Sequence, residues 1–485
     1  LFFLGGEDPA VKPEPVATPA PSTYMPVGED ESVARIRGFL EDFVSDPILL
    51  KDVSSPQNAA LFWVADDGLS QVDSVSAVGA AFGKMVTRYS LAVFYFALDG
   101  EAWFSSEGWL SVEEDECSWE YIVCDDEGSI KAIDSLGSPR NIRGRIPSEL
   151  QHISSLREIL LSSNSLTGFS GALGDLVRLD VSFNDITGSL PSAFYDMSNL
   201  ESLNLQGNDM TGSVSSSIAN LSNLRELRLS ENRFFGAFPT EVTSLIDLEY
   251  LFLNVNLFVG DFHTIFRDLS ALVWLDVDTN EFGGSIGTAI SSLVSLEYLN
   301  VRGNNIVGTI PSEIGLLGAL EYLALNSNTL DGWIPTELGL MTQLSHIHIA
   351  QNFLSGSIPS ELGSLDRLHT FLTGSNLLES TLPLSIGNWS SIENFGCTLN
   401  FLTGTIPTEL GLLTSLVSLQ LNKNEFSGAI PSEIGQLNLL QLLRLGGNPS
   451  VTGSVPIELC SLRRLTQFRV PCQVPCQCDS CECAQ

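Results

Sequence analysis

The amino-acid sequence predicts an α/β repeat solenoid: a stack of short coils, each supplying one parallel strand and one return segment, preceded by a small helical cap. Three observations carry this. Asparagines recur at 164, 184, 208, 232, 256, 280, 304, 328, 352, 376, 400, 424 and 448, and eleven of the twelve intervals are 24 residues, the first being 20. They close phrases of the form LxxLxLxxN, as in Leu248-Glu-Tyr-Leu251-Phe-Leu253-Asn-Val-Asn256. Most coils continue as xLxGxIPxELGxL, as in Leu330-Asp-Gly332-Trp-Ile334-Pro335-Thr-Glu-Leu338-Gly339. A fixed period of this length is the mark of a solenoid, because one coil cannot bury its leucines alone whereas stacked coils share a continuous core.

The elements follow in order. The chain opens with Leu1 and the apolar LFFLGG, which reads as the end of a signal sequence or membrane anchor lying upstream. Residues 1–31 are rich in Pro, Ala, Thr and acids, too polar to bury a core, and are expected to be a disordered linker or stalk. Residues 32–129 form the cap. Val33, Ile36, Leu40 and Phe43 share one face of a helix over Ser32–Phe43, and Val78, Ala81, Met85 and Tyr89 mark a longer helix from about Asp73 to Leu98 that stops at Asp99-Gly100. Trp103, Trp109, Trp119, Cys117 and Cys124 follow. The solenoid occupies 130–456 in about 14 coils, the first of them degenerate, with Arg140 at the asparagine phase. Residues 457–485 are a Cys-rich cap and tail.

Within a coil the residues divide by role. Each buried Leu or Ile contributes roughly 1.5–3 kcal/mol before entropy is charged. An Asn side chain carries both donor and acceptor, so a column of them can satisfy buried backbone groups of neighbouring turns. The Gly four residues after the Asn is expected to supply a conformation costly for other residues. Some coils depart from the pattern: the second is four residues short, those at Asn208, Asn256 and Asn280 lack the Pro, Thr373 takes a core position, Ser380 stands where Gly belongs, and Cys397 takes the core position of the next coil.

Acids outnumber bases 58 to 23, for a net charge of −35. Such a field repels nucleic acid and anionic membrane surfaces and favours cationic partners, with calcium a candidate counter-ion. The cysteines cluster at the two ends of the array, which suits disulfides made in an oxidising compartment. The tail spacing C-x3-C-x-C-x2-C-x-C also suits zinc thiolates, but no second His or Cys cluster accompanies it.

At this point the residues resemble the plant-type extracellular leucine-rich-repeat family of receptor ectodomains, receptor-like proteins and polygalacturonase-inhibitor-like proteins. The likeness covers 103–472 and is carried by the LxGxIPxELGxL phrase, with Cys117-Ser-Trp119-Glu-Tyr-Ile-Val123-Cys124 similar to the family's N-terminal cap; SPQNAALFWVADDG and RYSLAVFYFALDGEAW are similar to an N-terminal segment of diatom-type members. The resemblance implies a curved, right-handed solenoid with strands on its concave face and recognition of a peptide, protein or glycan there. Pairing of Cys117 with Cys124, and of Cys460, Cys472, Cys476, Cys478, Cys481 and Cys483 among themselves, would leave Cys397 as a buried core thiol. The sequons Asn220-Leu-Ser222 and Asn388-Trp-Ser390 lie seven periods apart, at one phase of the return segment, and are expected glycosylation sites.

Alternate strand residues face outward. The third position of the phrase reads Tyr250, Trp274, Tyr298, Tyr322 and His346 on five consecutive coils, a ladder about 19 Å long at about 4.8 Å per strand. The fifth position gives Phe252, Asp276, Asn300, Ala324 and His348, and the seventh adds Asp278 and Arg302. Rigid amphipathic rings in a row suit protein and sugar recognition, although aromatic residues also favour strands where nothing binds. His346, His348 and His369 have no carboxylate or thiol spaced beside them to complete a metal site. There is no nucleophile elbow, phosphate loop or H-E-x-x-H, so no catalytic residue and no cofactor is assigned. The expected function is extracellular or cell-surface recognition, with a structural or adhesive role, or inhibition of a secreted hydrolase, as alternatives.

Overall fold

The computed structural model describes residues 31–66, 78–135, 141–478 and 481–484. The linker expected at the N-terminus, the first turn expected of the second helix (73–77) and Arg140 therefore lie outside the described residues. The chain divides into two compact units: the described residues of Leu1–Lys131, Pro139–Leu156 and Phe169–Gly174 in one, and those of Ala132–Ser138, Arg157–Gly168 and Asp175–Gln485 in the other.

In the first unit four helices precede the tryptophan region: α1 (Glu31–Phe43), α2 (Pro47–Lys51), α3 (Pro56–Asp66) and α4 (Val78–Ala97). Helix α1 buries Val33, Ile36 and Leu40 as their spacing predicts. Periodicity gave no sign of α3, because Gln57, Asn58, Ala60, Leu61, Trp63, Val64 and Ala65 are all buried and no polar face remains to mark a period. After α4 the chain turns at Asp99, a left-handed residue at φ 58°. Trp103 and Trp109 then pack edge to face at 5.1 Å. The Arg88 guanidinium lies against the rings of both Trp63 and Trp119, 5.3 Å from each centroid, and bonds Glu116 Oε1 at 2.9 Å. A buried charge so paired avoids most of the penalty of its burial. The Cys117–Cys124 disulfide closes the same region with a Cα–Cα separation of 5.6 Å.

In the second unit successive short strands pair in parallel, with a 24-residue offset from Leu179 to Leu443, as in Leu227 beside Leu251, Leu251 beside Leu275 and Leu275 beside Leu299; the offset is 20 at the short coil, Ile159 beside Leu179. Their leucines are fully buried in one spine. After the asparagine most coils form a second short strand, such as Leu257–Asp261, and then a single 3-10 turn, such as Ser312–Leu316, entered from Pro311. Where the proline is missing other residues start the turn: Ser215 and Asp261 accept backbone N–H bonds with their side chains, and Gly287 takes φ 70°. The return segment of the four-residue-short coil, 170–177, has no helical turn at all.

The asparagine column works as its chemistry dictates. Asn328 Nδ2 donates to Val301 O at 2.9 Å, Leu325 O at 3.1 Å and Asn326 O at 3.4 Å, while its Oδ1 accepts Ile306 N–H at 3.0 Å. One side chain thus joins two coils and satisfies buried backbone groups that no strand partner reaches. The residue before each asparagine is left-handed even when it is β-branched, as at Val255 (φ 57°) and Thr279 (φ 52°). This turn points the next side chain inward and sends the preceding N–H to the following coil, as Ser327 N–H does to Ala350 O at 3.0 Å. The glycine four residues after the Asn is also left-handed, and a Cβ at Gly332 would meet Thr309 Cγ2 at 2.7 Å. Ser380 holds the same conformation, φ 75°, without glycine's freedom.

Candidate functional site

The strands Tyr250–Phe252, Trp274–Asp276, Tyr298–Asn300, Tyr322–Ala324 and His346–His348 lie side by side in register. Their third-position rings therefore sit about 4.8 Å apart, close to the separation at which aromatic rings stack. Trp274 lies on Tyr298 with centroids 3.8 Å apart and planes 8° apart, and Tyr298 lies on Tyr322 at 4.4 Å and 8°. The column continues tilted to His346 at 5.5 Å and then to His369 at 6.1 Å. At its other end Trp274 meets Phe252 at 5.8 Å, and the Arg228 guanidinium stands 4.2 Å over the Phe252 ring while pairing with Glu226.

The row predicted as freely exposed rings is thus a half-buried stack. Tyr250 stands outside it, 36% exposed, because Trp274 leans toward Phe252. Faces are spent on neighbours, and the rings are left half-buried. Arg228 and Glu226, which extend the column, carry no signal in the aromatic pattern and were not among the residues the sequence pointed to. Ala324 is buried, beneath the contact between the Tyr322 and His348 rings at 5.4 Å.

Polar groups line the column. Asp276 accepts the Asp278 N–H at 3.0 Å, and burial, reinforced by the charge of Asp278, pushes its carboxyl up to about 6 against this bond and one from Asn300. Asp278 bonds the Thr279 hydroxyl at 3.0 Å and has Arg302 Nε at 4.0 Å. Burial, with help from His346 and Arg302, pulls His348 down to about 4, so that ring is neutral at neutral pH, and burial with His369 lowers His346. Burial also raises the hydroxyl of Tyr298, with Asp276 adding to the effect. Tyr322 Oη lies 3.4 Å from His348 Nδ1. The buried atoms Trp274 Nε1, His348 Nε2 and His369 Nδ1 have no hydrogen-bond partner.

This arrangement can bind but has no reacting pair. Ser345 Oγ is 2.7 Å from His346 Nδ1, yet it also donates to Glu321 O at 2.9 Å, so its proton is engaged on a carbonyl. Among the described residues no group of three His, Cys, Asp or Glu has metal-binding geometry.

The remaining sequence-marked residues lie elsewhere. Asn220 and Asn388 are exposed, each the last residue of a 3-10 turn. Disulfides join Cys460 to Cys478, Cys472 to Cys483 and Cys476 to Cys481. Cys397 is a free, fully buried thiol whose pKa burial raises. No helix among the described residues is long and apolar enough to cross a membrane.

With this geometry in hand the chain can be set beside known proteins. The "Leucine rich repeat" family model matches residues 175–234, and a second "Leucine Rich Repeat" model matches 295–317 and 415–437. A leucine-rich repeat receptor-like protein kinase of Arabidopsis thaliana, named as "probably inactive", is 34% identical over 97 residues, 19% of this chain and 9% of that relative. The crystal structure of the ectodomain of the Arabidopsis membrane receptor kinase GASSHO1/SCHENGEN3, in complex with CASPARIAN STRIP INTEGRITY FACTOR 2, is 29% identical with a TM-score of 0.63, covering 70% of this chain and 44% of that one. The Arabidopsis receptor kinase HAESA, in complex with the peptide hormone IDA and the co-receptor SERK1, is 25% identical with a TM-score of 0.67, covering 80% and 69%. The chain spans about a tenth of the curated relative and under half of the first of these structures.

Proposed function

We propose that this chain, whose repeats match leucine-rich-repeat family models at 175–234, 295–317 and 415–437, is a recognition protein of the plant extracellular type whose strand face, from Phe252 to His369, captures a peptide or protein ligand. One observation carries the reading: a column of aromatic rings crosses consecutive coils with unmatched polar groups beside it. Perturbed, half-buried ionisable groups gathered with aromatic side chains on an otherwise repetitive surface mark a binding site rather than a fold requirement. The stacking favours a peptide over a glycan. Sugars dock on the open face of a ring, whereas these faces are occupied and offer edges, hydroxyls and ring nitrogens instead.

The disulfides, the two exposed sequons and the acidic surface support an extracellular or cell-surface location. Of the two solved relatives, HAESA was crystallised with a peptide hormone, which favours the peptide class. The test uses peptides selected on the full chain from a displayed random library. Tyr298→Ala with Tyr322→Ala is expected to abolish their capture while leaving the main unfolding transition nearly in place. Undiminished capture refutes the assignment.

A further inference from the structure

We infer that Asp276 seats a basic side chain of the ligand, an arginine in preference to a lysine, against the Trp274–Tyr298 stack; this deepens, and rests on, the strand-face reading above.

The acids on this face are unequally provided for. Glu226 pairs with Arg228, Glu249 with Arg225, and Asp278 has Arg302 at 4.0 Å. Asp276 receives only neutral donors, the Asp278 N–H and the Asn300 side chain, and no cation pairs with it among the described residues. A carboxylate withdrawn from water without a counter-ion is costly to keep ionised, and a ligand cation removes that cost. The rings next to it set the shape of that cation. The chain supplies its own example one coil earlier, where Arg228 stacks on Phe252 at 4.2 Å while its guanidinium pairs with Glu226. Trp274 and Tyr298 stand beside Asp276 with their faces stacked on one another, and no arginine of the chain pairs with this carboxylate among the described residues. A planar guanidinium can meet a carboxylate in a fork of two parallel N–H bonds, which a lysine ammonium cannot do.

A net charge of −35 attracts any basic peptide non-specifically, so the experiment must isolate one carboxylate. Peptides selected on the wild-type chain are measured against Asp276→Asn, which keeps an acceptor for the Asp278 N–H and alters the total charge hardly at all. Each is also measured with its arginine replaced by citrulline, which keeps shape and loses charge. We expect the selected peptides to carry arginine, each change alone to weaken binding by about tenfold or more, and the two together to weaken it little further. Peptides captured through Tyr298 and Tyr322 but lacking a basic residue, or indifferent to Asp276→Asn, overturn this inference and leave the strand-face reading standing. Failure to capture any peptide, or capture indifferent to the tyrosines, overturns both.

Discussion

Replacing Thr373 by Val should stabilise the protein, and the structure says by how much. Thr373 is fully buried, at the core phase one coil after Ile349 and one before Cys397, both buried too. Its backbone is fully used: the N–H reaches Gly396 O at 2.8 Å, and the carbonyl accepts the Asn376 and Asn400 amides at 3.0 and 3.1 Å. Its hydroxyl has no partner. A buried, unsatisfied hydroxyl costs about 1–3 kcal/mol. Valine keeps the branched shape, so no cavity opens and the backbone bonds are untouched; the gain should approach that cost. Thr373→Ser keeps the hydroxyl and loses a methyl, and should destabilise by about 1 kcal/mol. The assay is urea unfolding of the three proteins, comparing midpoints at a common slope. Since repeat arrays can unfold in stages, amide hydrogen exchange in the coils flanking 373 reports the local change directly. A valine variant no more stable than wild type would mean the hydroxyl is satisfied, and the reasoning fails.

Two further outcomes follow from the backbone. Asn328→Asp should be far more damaging than an average surface change, at about 3–5 kcal/mol, because an acceptor-only carboxylate would face the three carbonyls that Asn328 now serves as donor; a loss under about 1 kcal/mol in denaturant unfolding would contradict the role given to the column. Ser380→Gly should stabilise by about 0.5–1 kcal/mol, because the exposed serine is held at φ 75° where the other coils use glycine; an unchanged or lowered midpoint would show that the strain is relieved elsewhere.

The sequence by itself determined the period, the strand register, the buried leucines and the asparagine column, because each is a local requirement repeated every 24 residues, and repetition makes weak signals add. It also marked Tyr250, Trp274, Tyr298, Tyr322 and His346 as one outward row. Other features were not legible. Helix α3 leaves Pro56, Ala59, Phe62 and Asp66 outside the core, and because three of these are apolar it shows no amphipathic period. The left-handed residue before each asparagine can be Val255, Thr279 or Leu399, since the coil's closure imposes the conformation and the side chain does not choose it. Only the tertiary structure decided that Tyr298 stacks on both neighbours while Tyr250 stands apart, and that Asp276 lies half-buried beside the stacked rings with no cation paired to it among the described residues. Those outcomes depend on which side chains from adjacent coils arrive within about 4–6 Å of one another, and rotamers 24 residues apart in sequence are set by packing, which no local pattern encodes.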